Sequence, residues 1–93
     1  MRIVWTRHAQ ERQQEWEKKR GVTRQEVEDV LKDPEQIVPG DRDVLVAQAR
    51  RGEGLLRVPF VELEGKRRVL TVYWTSRVEK YWRGVPDANA LRS

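Results

Sequence analysis

His8 and Arg12 stand four positions apart in a stretch, Arg7 to Arg20, that holds neither proline nor glycine. If that stretch is helical, the two side chains share a face. An imidazole beside a guanidinium suits RNA cleavage, the ring as base and the cation as phosphate clamp. The same pair also reads as a packing histidine near a helix start and a solvated arginine, with Glu11 and Glu15 beside them. A second group lies further on. Arg57, Lys66, Arg67 and Arg68 fall on one expected hairpin, Tyr73, Trp74 and Thr75 end its second strand, and Arg77, Lys80, Tyr81 and Arg83 follow at once. Cations interleaved with rings match what single-stranded RNA asks for, charge for the backbone and flat surfaces for the bases. Arg67, Arg68, Trp74, Arg77 and Tyr81 are the RNA-binding candidates. The competing reading makes the aromatics core and the arginines solubilising surface.

Composition narrows the alternatives. The chain has 93 residues, 37% charged and 38% hydrophobic, so it makes one domain with one modest core. There is no cysteine, which excludes disulfides, iron–sulfur clusters and thiolate-held zinc. A single histidine excludes a multi-histidine metal site, so neither metal nor cofactor is expected. The longest apolar run, Val44 to Ala47, is far short of a membrane span, and a cytoplasmic protein that stays off membranes is the expectation. The net charge of +4 is uneven: residues 1–50 carry ten basic and ten acidic side chains, and residues 51–93 carry nine and five. Fourteen of the 19 basic residues are arginine, the cation that grips phosphate with a fork and stacks on rings; an arginine-rich genome would give the same bias.

The elements that must position these residues follow from local pattern. Arg2 to Trp5 reads as a strand, rich in β-branched and aromatic residues. Thr6 is an N-cap for a first helix over Arg7–Arg20, whose apolar stripe is narrow (Ala9, Trp16) and which stops at Gly21. Thr23-Arg24-Gln25-Glu26 spells a capping box, Val22 can staple onto Val27, and Val27, Val30 and Leu31 share a face. Asp33-Pro34 ends that second helix. Strands are expected at Gln36–Val38, Val44–Ala49, Leu55–Leu63 and Arg67–Thr75, with Pro59 arguing for an edge or a bulge. Glu64-Gly65 is a two-residue hairpin loop needing positive φ. That loop pairs Leu63 with Lys66, Glu62 with Arg67 and Phe60 with Val69. Continued unbroken, the same register puts Tyr73 on the face of Leu56 and Phe60. It puts Trp74 on the face of Arg57, close enough for a cation–π contact. Residues 76–84 read either as a helical turn or as a tail docked by Trp82, and 85–93 as a loosely ordered C-terminal tail. The order β-α-α-β-β-β-β means α+β, two helices on an antiparallel meander of about four strands spanning residues 1–84.

Trp5-Thr6-Arg7-His8-Ala9 with Arg12, Arg20-Gly21-Val22-Thr23, Val30-Leu31-Lys32-Asp33-Pro34 and the strand Val69–Ser76 resemble a bacterial family of unknown function. That family looks related to the RelE/ParE and BrnT toxin superfamily. The resemblance runs over residues 3–82. It implies a RelE-like fold of two helices against an antiparallel sheet. It also implies metal-independent RNA cleavage, usually on the ribosome, silenced by a partner antitoxin; relatives of the ParE kind act on gyrase instead. By position it adds Arg57, Tyr73 and Lys80 (or Tyr81) as catalytic candidates beside His8 and Arg12. Three functions therefore compete. One is a toxin-like endoribonuclease, one a non-catalytic RNA- or protein-binding module on the same fold. The third is a scaffold that dimerises through an open sheet edge.

Overall fold

A computed structural model describes residues 1–84; the tail expected over 85–93 lies outside the described residues. The chain runs β1 (Arg2–Trp5), α1 (Arg7–Arg20), α2 (Arg24–Lys32), β2 (Gln36–Pro39), β3 (Leu45–Arg51), β4 (Gly54–Leu63), β5 (Lys66–Val69), β6 (Tyr73–Thr75) and α3 (Val78–Tyr81). The class is α+β, but three features depart from the simple meander. The last expected strand is broken into β5 and β6, both of which pair with β4. β1 lies parallel to β5 at one edge, so the sheet is mixed, in the order β1-β5-β4-β3-β2. Residues 78–81 close a third, single-turn helix.

Local signals account for the helices. Thr6 caps α1 by accepting from the Ala9 amide at 3.1 Å, while its hydroxyl donates to the Val69 carbonyl at 2.8 Å. One threonine thus starts the helix and ties it to β5. Gly21, at φ 70°, ends α1 in the left-handed conformation with its amide on the Glu17 carbonyl. Thr23 caps α2 through the Glu26 amide, but the Glu26 carboxylate does not complete the expected box. It pairs with Arg51 instead, and the Arg51 guanidinium also reaches the Arg20 carbonyl at 3.0 Å. One arginine thereby joins the end of α1 to the start of α2.

Both helices cover one face of the sheet. Ala9 of α1 and Val27, Val30 and Leu31 of α2 share a core cluster with Ala47, Leu56, Val58, Phe60, Val69 and Val72. Along β4 the even-numbered residues face this core and the odd ones face away. Within α1, Gln13 is buried alongside Ala9 and donates to the Glu17 carboxylate and the Val22 carbonyl, both at 2.9 Å. Trp16, the other expected member of the apolar stripe, is half-buried and packs against the same core.

The hairpin has the expected register: Leu63 faces Lys66, Glu62 faces Arg67 and Phe60 faces Val69, across a Glu64-Gly65 loop at φ 53° and 76°. Beyond it, Tyr73 faces Arg57 and Trp74 faces Leu56. From Val69 to Tyr73 is four steps; from Phe60 to Arg57 is three. One extra residue has been taken up in Leu70–Val72, and a shift of one exchanges the faces of everything after it. Tyr73 therefore joins Arg57, and Trp74 crosses to the helix side, the reverse of the continuous-ladder expectation. Pro59 sits opposite this break. Its carbonyl accepts from Leu70 at 2.9 Å, and in a strand the nitrogen points to the same side. The missing N–H thus falls where the ladder is interrupted, which lets a proline occupy the central strand rather than an edge.

Candidate functional site

The odd-numbered face of β4 carries a buried arginine. Arg57 is 6% exposed. Its Nε donates to Gln48 Oε1 at 2.8 Å, one terminal nitrogen donates to the Tyr73 hydroxyl, and its guanidinium lies 3.9 Å from the centre of the Tyr81 ring. Tyr73 and Tyr81 meet edge to face at 6.4 Å between ring centres. Among the described residues no carboxylate comes within ion-pair distance of Arg57, whereas Arg7, Arg12, Arg24, Arg51 and Arg67 each have one. Among the described residues the guanidinium meets a hydroxyl, an amide oxygen and a ring face, none of which carries a compensating charge.

Gln48 organises this arrangement. It is fully buried in β3, directly across from Arg57, and its amide nitrogen donates to Gln36 Oε1 at 2.8 Å and to the Tyr81 carbonyl at 3.1 Å. Gln36 in turn donates to the Arg83 carbonyl at 2.7 Å and accepts from the Arg83 amide at 3.0 Å. Two glutamines on adjacent strands therefore hold the α3 segment across the sheet, and α3 brings Tyr81 onto Arg57. Val38, Pro39, Gly40, Val46, Lys80 and Arg83 complete a cleft of about 290 Å³ around Arg57 and Tyr81. Its charged side chains are all cations.

Burial holds the Tyr73 phenol above its ordinary pKa. The neighbouring guanidinium pulls in the opposite direction and Tyr81 adds to the rise. At neutral pH the group is an uncharged hydroxyl, able to give a proton.

The residues singled out from the sequence separate into several places. Arg57, Tyr73, Lys80 and Tyr81 come together. His8 and Arg12 do not join them: they are exposed on α1, across the sheet, and Arg12 is engaged with Glu15 at 2.8 Å. Arg67 points to the helix side, where it donates to the Leu31 carbonyl at 2.7 Å, pairs with Glu62 and lies 4.8 Å from the Phe60 ring centre. It closes the end of α2. Arg68 is exposed near β1, beside Val4 and Leu63. Arg77 is exposed at the start of α3. Trp74 does not meet Arg57; it stacks under Arg20 at 3.4 Å. The glutamines were missed, yet Gln48 left a signal, as a lone polar residue within the apolar strand Val44–Ala49. The described residues contain no cluster of three or more histidine or acidic groups placed to hold a metal, and no helix long and apolar enough to cross a membrane.

A mixed sheet with two helices on one face and a cation–phenol cleft on the other defines a small α+β domain. Residues 5–74 match the family model described as domain of unknown function DUF4258, most of the chain, and the protein belongs to that family. No curated protein and no solved structure matches the sequence significantly.

Proposed function

We propose that this protein acts on RNA as a metal-independent endoribonuclease of the RelE/BrnT toxin kind, with the Arg57 cleft gripping the ribose-phosphate backbone. One observation carries the reading: a buried guanidinium that has no carboxylate partner among the described residues, in a cleft whose other charged chains are Lys80 and Arg83. Such a site favours an anion, and a phosphodiester matches the fork of arginine. In the cleavage step the ribose 2′-hydroxyl attacks the adjacent phosphorus and the bond to the 5′-oxygen breaks. Arg57 and Lys80 balance the charge on the non-bridging oxygens. The neutral Tyr73 phenol gives its proton to the departing 5′-oxygen and regains one from solvent, and solvent also takes the 2′-hydroxyl proton. The products are a 2′,3′-cyclic phosphate and a 5′-hydroxyl.

A second reading, a non-catalytic RNA- or protein-binding module on the same fold, is favoured by a different observation. Among the described residues the cleft lining contains no carboxylate or imidazole to take the 2′-hydroxyl proton. Purified protein incubated with single-stranded RNA and with translating ribosomes, with and without chelator, separates the two. Chelator-resistant fragments with cyclic phosphate ends establish cleavage. Salt-dependent binding with intact RNA establishes the module. An antitoxin partner is part of the first reading: expression alone should arrest growth and Arg57→Ala should relieve the arrest.

A further inference from the structure

Across the β6 edge from the Arg57 cleft lies a second groove, of about 490 Å³, lined by Trp16, Lys19, Arg20, Trp74, Thr75 and Ser76. Its floor is rigid. The Trp74 indole donates to the Arg51 carbonyl at 3.0 Å, and Arg51 is itself anchored on Glu26 and the Arg20 carbonyl. Gly54 lies beneath this ring, where a Cβ would overlap both the Trp74 indole and the Thr75 carbonyl oxygen. On this floor the Arg20 guanidinium is stacked 3.4 Å from the Trp74 ring centre, and the Lys19 ammonium lies 5.1 Å from that of Trp16. Among the described residues neither cation has a carboxylate within ion-pair distance, although α1 is rich in glutamate. Each indole face thus carries a cation that has no carboxylate partner among the described residues.

Shared lining residues relate the groove to the cleft. The groove shares Ser76 with a hollow that runs along α3 by Arg77 and Lys80, and that hollow shares Lys80 with the Arg57 cleft. Glu53 and Glu79 border the middle stretch, so an anionic chain crosses it on the Arg77–Lys80 side. We propose that the α1–β6 groove is a second subsite for the same ligand. It takes a phosphate on Lys19 and Arg20, from a single-stranded RNA that bends around β6 into the Arg57 cleft. Only an unpaired strand follows this path, because a duplex is too stiff to turn from one face of a sheet to the other. The inference rests on the RNA reading above and adds the strand type and the direction of its path.

The test compares a short single strand of about three nucleotides with one of about twelve, lengths that span one and both subsites. Fluorescence anisotropy reads affinity for the wild type, for Lys19→Gln/Arg20→Gln and for Arg57→Gln, with circular dichroism confirming that the exposed α1 changes leave the fold intact. The α1 double variant should bind the short strand as the wild type does. It should lose about tenfold on the long one, with the salt slope shallower by roughly 0.7 for the one phosphate lost. Equal wild-type and α1-variant affinity for the long strand, while Arg57→Gln weakens it, overturns the second subsite and leaves the cleft reading standing. If the wild type binds neither strand, the RNA reading fails and the subsite goes with it. Equal binding of a duplex of the same length overturns the proposed path.

Discussion

Arg57 and Tyr73 are partners across β4 and β6 only because Leu70–Val72 absorb one residue more than the opposing strand provides. The hydrogen bond between their side chains ties Tyr73 to the guanidinium that lines the cleft. Without the extra residue, Tyr73 would lie in the helix-side core and Arg57 would share its face with the Trp74 ring in place of the phenol.

Removing the phenol's proton while keeping its ring should separate gripping from cleavage. Tyr73→Phe should lower the RNA cleavage rate about a hundredfold, the lower end for a positioned acid, while leaving RNA affinity within about twofold. Arg57→Gln should reduce both. His8→Ala and Arg12→Ala should leave cleavage unchanged, since those residues are across the sheet. Loss of cleavage in His8→Ala would contradict this assignment.

The pH dependence has a definite sign. Burial raises the Tyr73 pKa above its ordinary 10.0, so the folded protein holds this proton more tightly than the unfolded chain does. The group's contribution is complete below pH 10.0 and is lost as pH rises through the folded value. Thermal unfolding followed above that pH should show the wild-type midpoint falling more steeply than that of Tyr73→Phe. Parallel curves would mean that the phenol is not desolvated.

Gln48→Leu should cost about 1–3 kcal/mol in urea unfolding, because it leaves the Arg57 Nε, the Tyr81 carbonyl and the Gln36 amide oxygen without their partner. The more specific consequence is at a distance. With one of its two glutamine anchors gone, α3 should open more often, and the Arg83 amide, bonded to Gln36, should exchange faster with deuterium. Unchanged exchange there would show that α3 is held by other contacts.

Gly54→Ala should be among the most damaging single changes, about 2–3 kcal/mol or more, since the added methyl overlaps backbone on one side and an indole on the other. Gly65→Asn in the hairpin loop, at φ 76° with open space around it, should cost well under 1 kcal/mol because asparagine tolerates the left-handed region. Denaturant midpoints for the two variants check the contrast.

Local chemistry made much of the fold legible in advance. Thr6, Gly21 and Thr23 mark helix ends by capping geometry that depends only on neighbours in the chain, and Glu64-Gly65 sets the hairpin register because its length and positive φ values admit few pairings. Arg57, Tyr73, Lys80 and Tyr81 could be marked as candidates from residue type and position. The meeting of the first two could not. The face a strand residue takes depends on a parity counted along the ladder, and no local preference in Leu70–Val72 announces that the count slips. The same holds for Arg67, read as a surface cation until α2 ends beside it, and for Glu26, whose carboxylate leaves its own helix for Arg51. Caps, turns and apolar stripes are decided within a few residues. Which side of the sheet a charge meets, and whether its partner is a ring, a carbonyl or nothing, is decided by packing between segments 9 to 36 positions apart.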